Sequence, residues 1–279
     1  MEWLTENKIP VGRVAGEVFD WLESRGAFFF DFLSDTMEAM IDGILWLLQS
    51  PNPLFIVAIF VALTWALQRN WKICLFVFLG FLFILNQDYW EETTESLTLV
   101  LASCFVCMGL GVPIGIAAAH RPKLYAGMRP VLDLMQTLPP FVYLIPAIVF
   151  FGIGMVPGLI ATVIFVLPAP IRLTYLGVHS TPEALLEASR AFGATPSQTL
   201  YKVELPYAFP QIMAGLNQTI MLSLSMVVIA AYVGADGLGV PVVRALNSVN
   251  TALGFESGII IVVVAIMLDR MLRFGARER

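Results

Sequence analysis

A run of 23 residues, 97–119, contains no Asp, Glu, Lys or Arg, and it restricts the folds open to the chain. As a helix it measures about 35 Å at about 1.5 Å per residue, which crosses a hydrocarbon core of about 30 Å with modest tilt. Two more uncharged runs follow, 139–171 and 205–235. The first is too long for one crossing, and GIGMVPG at 152–158 divides it into a hairpin, because Gly and Pro mark turns. The second holds a crossing over 212–233, and a last one covers 252–272, with Glu256 near its start. Two shorter apolar segments, 53–67 and 73–85, come earlier, flanked by Trp65, Trp71, Tyr89 and Trp90 as the aromatic belts of a bilayer would be. The fold expected is an all-α membrane protein of about seven transmembrane helices.

Composition agrees. The chain is 58% hydrophobic and 13% charged, against about 25% charge in soluble domains. Too few polar residues exist to cover a soluble surface. A formal charge of −5 leaves no basic surplus for nucleic-acid phosphates. The acidic start MEWLTENKIP lacks the apolar core and cleavage site of a signal peptide.

Basic residues set the expected orientation. With the amino terminus outside, the inside segments hold Arg69, Lys72, Arg121, Lys123, Arg129, Arg172, Arg190, Lys202, Arg270, Arg273, Arg277 and Arg279. The outside segments then hold Lys8, Arg13, Arg25 and Arg244. Twelve against four favours N-out, C-in by the positive-inside rule. The divisions expected are an extracytoplasmic acidic amphipathic segment (1–50), two accessory transmembrane helices (51–92), a transmembrane domain (93–272) and a cytoplasmic basic tail (273–279).

Within the first division Asp31, Asp35, Glu38 and Asp42 share one helical face, opposite Leu33, Met37, Met40 and Ile44. Such a helix could lie on a membrane surface or pack on another subunit. Cys104 and Cys107 form C-x-x-C inside an uncharged run, where burial keeps thiols inert. His120 and His179 sit singly at the ends of apolar segments and read as interfacial residues, not ligands. The sequon-like Asn217-Gln218-Thr219 lies in an apolar run and reads as chance. No metal or cofactor is expected.

The longest polar segment between crossings, 179–210, reads as helix, turn, helix. Ser180-Thr181-Pro182-Glu183 supplies a hydroxyl cap, a first-turn proline and a glutamate placed for a capping box. EALLEASRAF follows, and Gly193 stands where a left-handed C-cap residue would end the helix. Thr195 and Gln198 repeat the start signal, and a second helix leads through Leu200 and Val203 to Leu205-Pro206. Two short capped helices at a membrane surface make a rigid knob suited to passing motion between a membrane subunit and a cytosolic partner.

Glu187-Ala188-Ser189, three residues, Gly193, nine residues, Val203, one residue and Leu205-Pro206 resemble the EAA loop of type I ABC importer permeases. That pattern reads E-A-A, three residues, G, nine residues, I, one residue, L-P; Ser189 and Val203 are the departures. The segments from Gln136 to Val178 and from Asn217 to Gly239 also resemble the glycine betaine, proline betaine and choline branch. The resemblance spans about residues 93–272. It implies a permease in the bacterial cytoplasmic membrane and three partners: a cytosolic ATPase pair, an extracytoplasmic binding protein and a second permease copy. Glu187, Ala188, Ser189, Gly193, Val203, Leu205 and Pro206 would couple to the ATPase.

The residues themselves are consistent with this. The sequence holds no G-x-x-x-x-G-K-[ST] phosphate loop, so no enzyme is expected. Gly111 and Gly115 instead form G-x-x-x-G, a site of close helix packing. An ion-coupled secondary transporter would place ionisable groups inside its spans, whereas 97–119, 139–171 and 205–235 hold no Asp, Glu, Lys or Arg; Asp133 reads as a terminal or packing residue. A permease for another small solute, of the amino-acid class, stays open. Phe141, Tyr143 and Tyr232 are aromatic candidates along a path for a quaternary ammonium, none of them singled out as a substrate site.

Overall fold

The computed structural model describes residues 11–272, and all regular structure among them is helical. Lys8 and the basic tail 273–279 lie outside the described residues. The helices are α1 (Val11–Gln49), α2 (Pro53–Gln68), α3 (Trp71–Asn86), α4 (Trp90–Ala119), α5 (Pro122–Thr137), α6 (Pro140–Phe151) and α7 (Met155–Val166). They continue as α8 (Pro168–His179), α9 (Glu183–Ala191), α10 (Pro196–Thr199), α11 (Leu205–Ala230), α12 (Gly239–Ser248) and α13 (Thr251–Leu272). A π turn, Leu200–Glu204, joins α10 to α11.

Each segment expected to cross a membrane is helical. Four stretches are long and apolar enough to cross alone: Trp90–Ala119, Met155–His179, Pro196–Val233 and Thr251–Leu272. Two bent pairs, α1 with α2 at 100° and α5 with α6 at 97°, bring the number to six if each is one span. Seven crossings would need α3 as well; its 16 residues measure about 24 Å, short of the hydrocarbon core. The break read at 152–158 is real: α6 ends at Phe151 with Gly152 as its cap, α7 begins at Met155, and the two helices pack on each other.

Helices α4, α8 and α11 pack against one another as a central trio. Small residues let their backbones approach. A Cβ on Gly111 would stand 2.8 Å from Pro170 Cγ, and one on Gly115 would stand 2.7 Å from the Ile171 carbonyl oxygen. The G-x-x-x-G pair therefore packs α4 on α8, as its spacing predicts. Ser103 of α4 donates to Ser223 of α11 at 2.7 Å in the buried centre, a polar tie where lipid offers none. Thr98, Thr162 and Thr219 return their hydroxyls to carbonyls four residues back, which satisfies them within their own helices.

The apolar stripe of α1 takes neither of the two roles expected of it, because it packs inside its own chain. Ile41 and Leu48 are buried, and Met37, Met40 and Ile44 pack on the main core, while Asp31, Asp35, Glu38 and Asp42 are exposed. The stripe is covered by α4, α6 and α7 of the same chain. Phe30 stacks on Phe150 with ring centroids 4.4 Å apart. Gln49 donates to Thr94 at 2.9 Å, which pins the end of α1 to the start of α4.

Candidate functional site

The segment between α8 and α11 folds as a hook closed by its own hydrogen bonds. Helix α9 is made of good helix formers, EALLEASRA. Its start differs from the sequence expectation. Pro182 occupies the N-cap position and no side chain caps the helix. Ser180 is drawn into the end of α8, donating its backbone N–H to Leu176 and its hydroxyl to the Gly177 carbonyl. Thr181 is buried and its hydroxyl meets no hydrogen-bond partner, the start of α9 included.

The other end follows the expectation. Gly193 has φ +74°, its N–H donates to the Arg190 carbonyl, and the Ala194 N–H donates to the Ser189 carbonyl. These are the two bonds of a Schellman stop, whose left-handed residue is normally glycine. Thr195 and Gln198 form the full capping box: the Thr195 hydroxyl accepts from the Gln198 N–H at 3.3 Å, and the Thr195 N–H donates to Gln198 Oε1 at 2.8 Å.

The second helix is not a separate short one. A single α turn passes into the π turn and directly into α11, so 196–233 is one continuous helical rod. The Leu205 N–H bonds the Leu200 carbonyl, five residues back. Pro206, which has no N–H, falls where the bonding register changes.

Of the seven residues singled out in the sequence, Glu187, Ala188 and Gly193 are exposed on the hook and Pro206 is exposed at its root. Val203 and Leu205 are half-buried at the root. Ser189 is buried, and its hydroxyl lies 2.6 Å from that of Thr199. The departure from alanine at this position thus staples α9 to α10. Phe192, next to the turn, is 92% exposed, far more than a packing role would leave an aromatic ring.

Three arrangements at this end of the bundle were hidden from sequence reasoning. His120, the C-cap of α4, meets the buried Glu204 with Nε2···Oε2 at 2.9 Å. Arg172 of α8 donates to Asp133 at 2.6 Å and to Gln136 at 3.0 Å, both on α5. Tyr125, Tyr175 and His179 stack in a column from α5 to α8. No pattern in one chain pairs residues so far apart, although the placement of Asp133 as a packing residue agrees with its partner.

The remaining candidates separate by burial. Cys104 and Cys107 are buried free thiols within α4. Tyr143 is buried and donates to the Met135 carbonyl at 2.8 Å, which ties the α5–α6 break. Phe141 and Tyr232 are half-exposed and meet edge to face, ring centroids 5.5 Å apart. Asn217 sits within α11, as a chance sequon would.

Residues 111–275 match the family described as "Binding-protein-dependent transport system inner membrane component". The chain is 46% identical, over 95% of its length and 93% of the relative, to the glycine betaine transport system permease protein OpuAB of Bacillus subtilis (strain 168). It is 40% identical, over 97% of its length and 76% of the relative, to the glycine betaine/proline betaine transport system permease protein ProW of Escherichia coli (strain K12). Among solved structures, an inward-facing form of the MetNI methionine ABC transporter superposes with a TM-score of 0.57 at 26% identity, over 64% of this chain and 92% of that one. The family match covers more than half of the chain, including the hook, α8, α11 and the last turns of α4, and the chain belongs to the binding-protein-dependent transport system inner membrane components, as a multi-pass permease subunit of an ABC importer.

Proposed function

We propose that the chain carries a quaternary-ammonium osmoprotectant, glycine betaine, proline betaine or choline, across the cytoplasmic membrane by alternating access. The observation that carries the substrate class is the 46% identity, along nearly the whole chain, to a permease named for glycine betaine. The methionine transporter, at 26%, gives an amino-acid cargo less support. A separate ATPase pair supplies the energy and an external binding protein delivers the solute to a pair of permease copies.

In this scheme the amino terminus is outside, α3 completes seven crossings, and 93–272 is the transporting domain, preceded by 1–50 outside and 51–92 as accessory helices. The hook faces the cytosol and docks on the ATPase. Glu187 and Ala188 present its surface, Gly193 and Ser189 hold its shape, and Val203, Leu205 and Pro206 root it in α11. The exposed ring of Phe192 is the group a docking groove would bury, since aromatic anchors dominate such interfaces.

Two measurements test this. ATP hydrolysis by the purified whole transporter, titrated with glycine betaine, proline betaine, choline and methionine, should rise with the first three; stimulation by methionine alone overturns the substrate class. Thiol labelling of single cysteines placed at positions 20 and 277 in a background free of native cysteines should reach the first from outside and the second from inside; the reverse pattern overturns the orientation.

A further inference from the structure

Both histidines of the chain stand at the roots of the hook. His179 ends α8 immediately before it, stacked 5.2 Å from Tyr175, which stacks 3.6 Å from Tyr125. His120 ends α4 and touches Glu204, the last residue of the π turn.

The second contact holds a countable proton. His120 Nδ1 lies 2.9 Å from the Ile116 carbonyl oxygen, and Nε2 lies 2.9 Å from Glu204 Oε2. A carbonyl oxygen only accepts, so Nδ1 carries a proton. Nε2 and the carboxylate need a further proton between them, whether it rides on the ring or on the acid. Without it, two lone pairs face each other, or the ring changes tautomer and gives up Ile116. Glu204 is 7% exposed, so water does not take over the lost bond. The His120 side chain is 46% exposed, so it exchanges that proton with solvent.

The contact also closes a mechanical loop. The hook is continuous in sequence with α8 and α11, two of the three central helices, and α9, α10 and the π turn pack on one another. The third central helix, α4, lies 84 residues from Glu204 in sequence and meets it through His120.

We propose that the His120–Glu204 contact is a proton-dependent joint that passes movement of the hook into α4, which makes both side chains positioning residues for coupling. This rests on the hook being the ATPase dock. The contact exists only while that proton is shared, so coupling weakens as rising cytosolic pH removes it. The surrounding elements carry Arg121, Lys123 and Tyr125 on the α4–α5 side, Arg172, Tyr175 and His179 on α8, Glu183, Glu187 and Arg190 on α9, and Tyr201, Lys202 and Tyr207 on the hook's root. Arg172 is engaged by Asp133.

The test uses the whole transporter, ATPase and binding protein included, in proteoliposomes with glycine betaine as probe. Uptake per ATP is measured across about pH 6 to 8.5 on the ATPase side. The wild type should lose about two- to tenfold toward the alkaline end, the worth of one hydrogen bond. Glu204→Gln should stay flat, because its amide donates to unprotonated Nε2 while Nδ1 keeps Ile116; this near-isosteric change also guards against misfolding as the explanation. His120→Ala should be low and flat. Superimposable profiles for wild type and Glu204→Gln, or a wild-type slope in His120→Ala, overturn the joint. Glu187→Lys separates the two readings: full coupling in that variant overturns the dock itself, whereas its loss beside a wild-type-like Glu204→Gln profile overturns the joint alone.

Discussion

Replacing Gly193 with valine separates backbone conformation from every other property of the hook. Nothing lies within 4 Å of where a Cβ would stand, so the new side chain meets no neighbour. The backbone is the cost, because φ is +74° and an L-residue there loses about 1–2 kcal/mol, more for a β-branched one. At about 1.4 kcal/mol per tenfold, the population holding both bonds of the Schellman stop falls about five- to thirtyfold relative to an alternative turn. Helix insertion should be unaffected, since no buried surface changes. The assay is permease abundance in the membrane, ATPase retained through purification and substrate-stimulated hydrolysis, for Gly193→Asn, Gly193→Ala and Gly193→Val. Asparagine tolerates the left-handed region, so retention should fall in the order Gly, Asn, Ala, Val at constant abundance. Wild-type retention in the valine variant refutes the argument, and so does an asparagine variant as damaged as the valine one.

Phe192→Ala should leave the permease normally inserted and weaken ATPase retention by about 2 kcal/mol, as loss of an aromatic anchor does; unchanged retention removes the ring from the interface. Ser189→Ala restores the family's residue but deletes the bond to Thr199, and hydrogen exchange at 195–199 should quicken by about two- to tenfold. Gly115→Leu should deplete folded protein, because even a Cβ there stands 2.7 Å from the Ile171 carbonyl oxygen, and overpacking costs about 1–3 kcal/mol or more; normal abundance and thermal stability would contradict the close α4–α8 approach.

What could be read from the sequence was local or periodic. Thr195, Gln198 and Gly193 act on neighbours within a turn, so their spacing was enough. Gly111 and Gly115 sit one turn apart and declare a packing face. Ser180 misled because its hydroxyl had two backbones to serve, and the end of α8 claimed it. Pro206 resembled a boundary because proline usually breaks helices; the π turn absorbs its missing donor and lets the rod continue. The face of α1 was legible, but not what covers it, since that depends on how α4, α6 and α7 are arranged. The His120–Glu204 contact was beyond reach, as it exists only when two helix ends 84 residues apart meet.

The π turn also fixes an angle. Such a turn amounts to one residue inserted into an α-helix, and each residue turns an α-helix by about 100°. The hook therefore points in a direction set by that single inserted residue, and shortening 200–204 by one would swing it by about 100° about the α11 axis while leaving every residue of the bundle in place. Angular phase, rather than the composition of the hook, then decides which way the hook presents its surface. A relative without the π turn would need a compensating change of hook length to face the same partner.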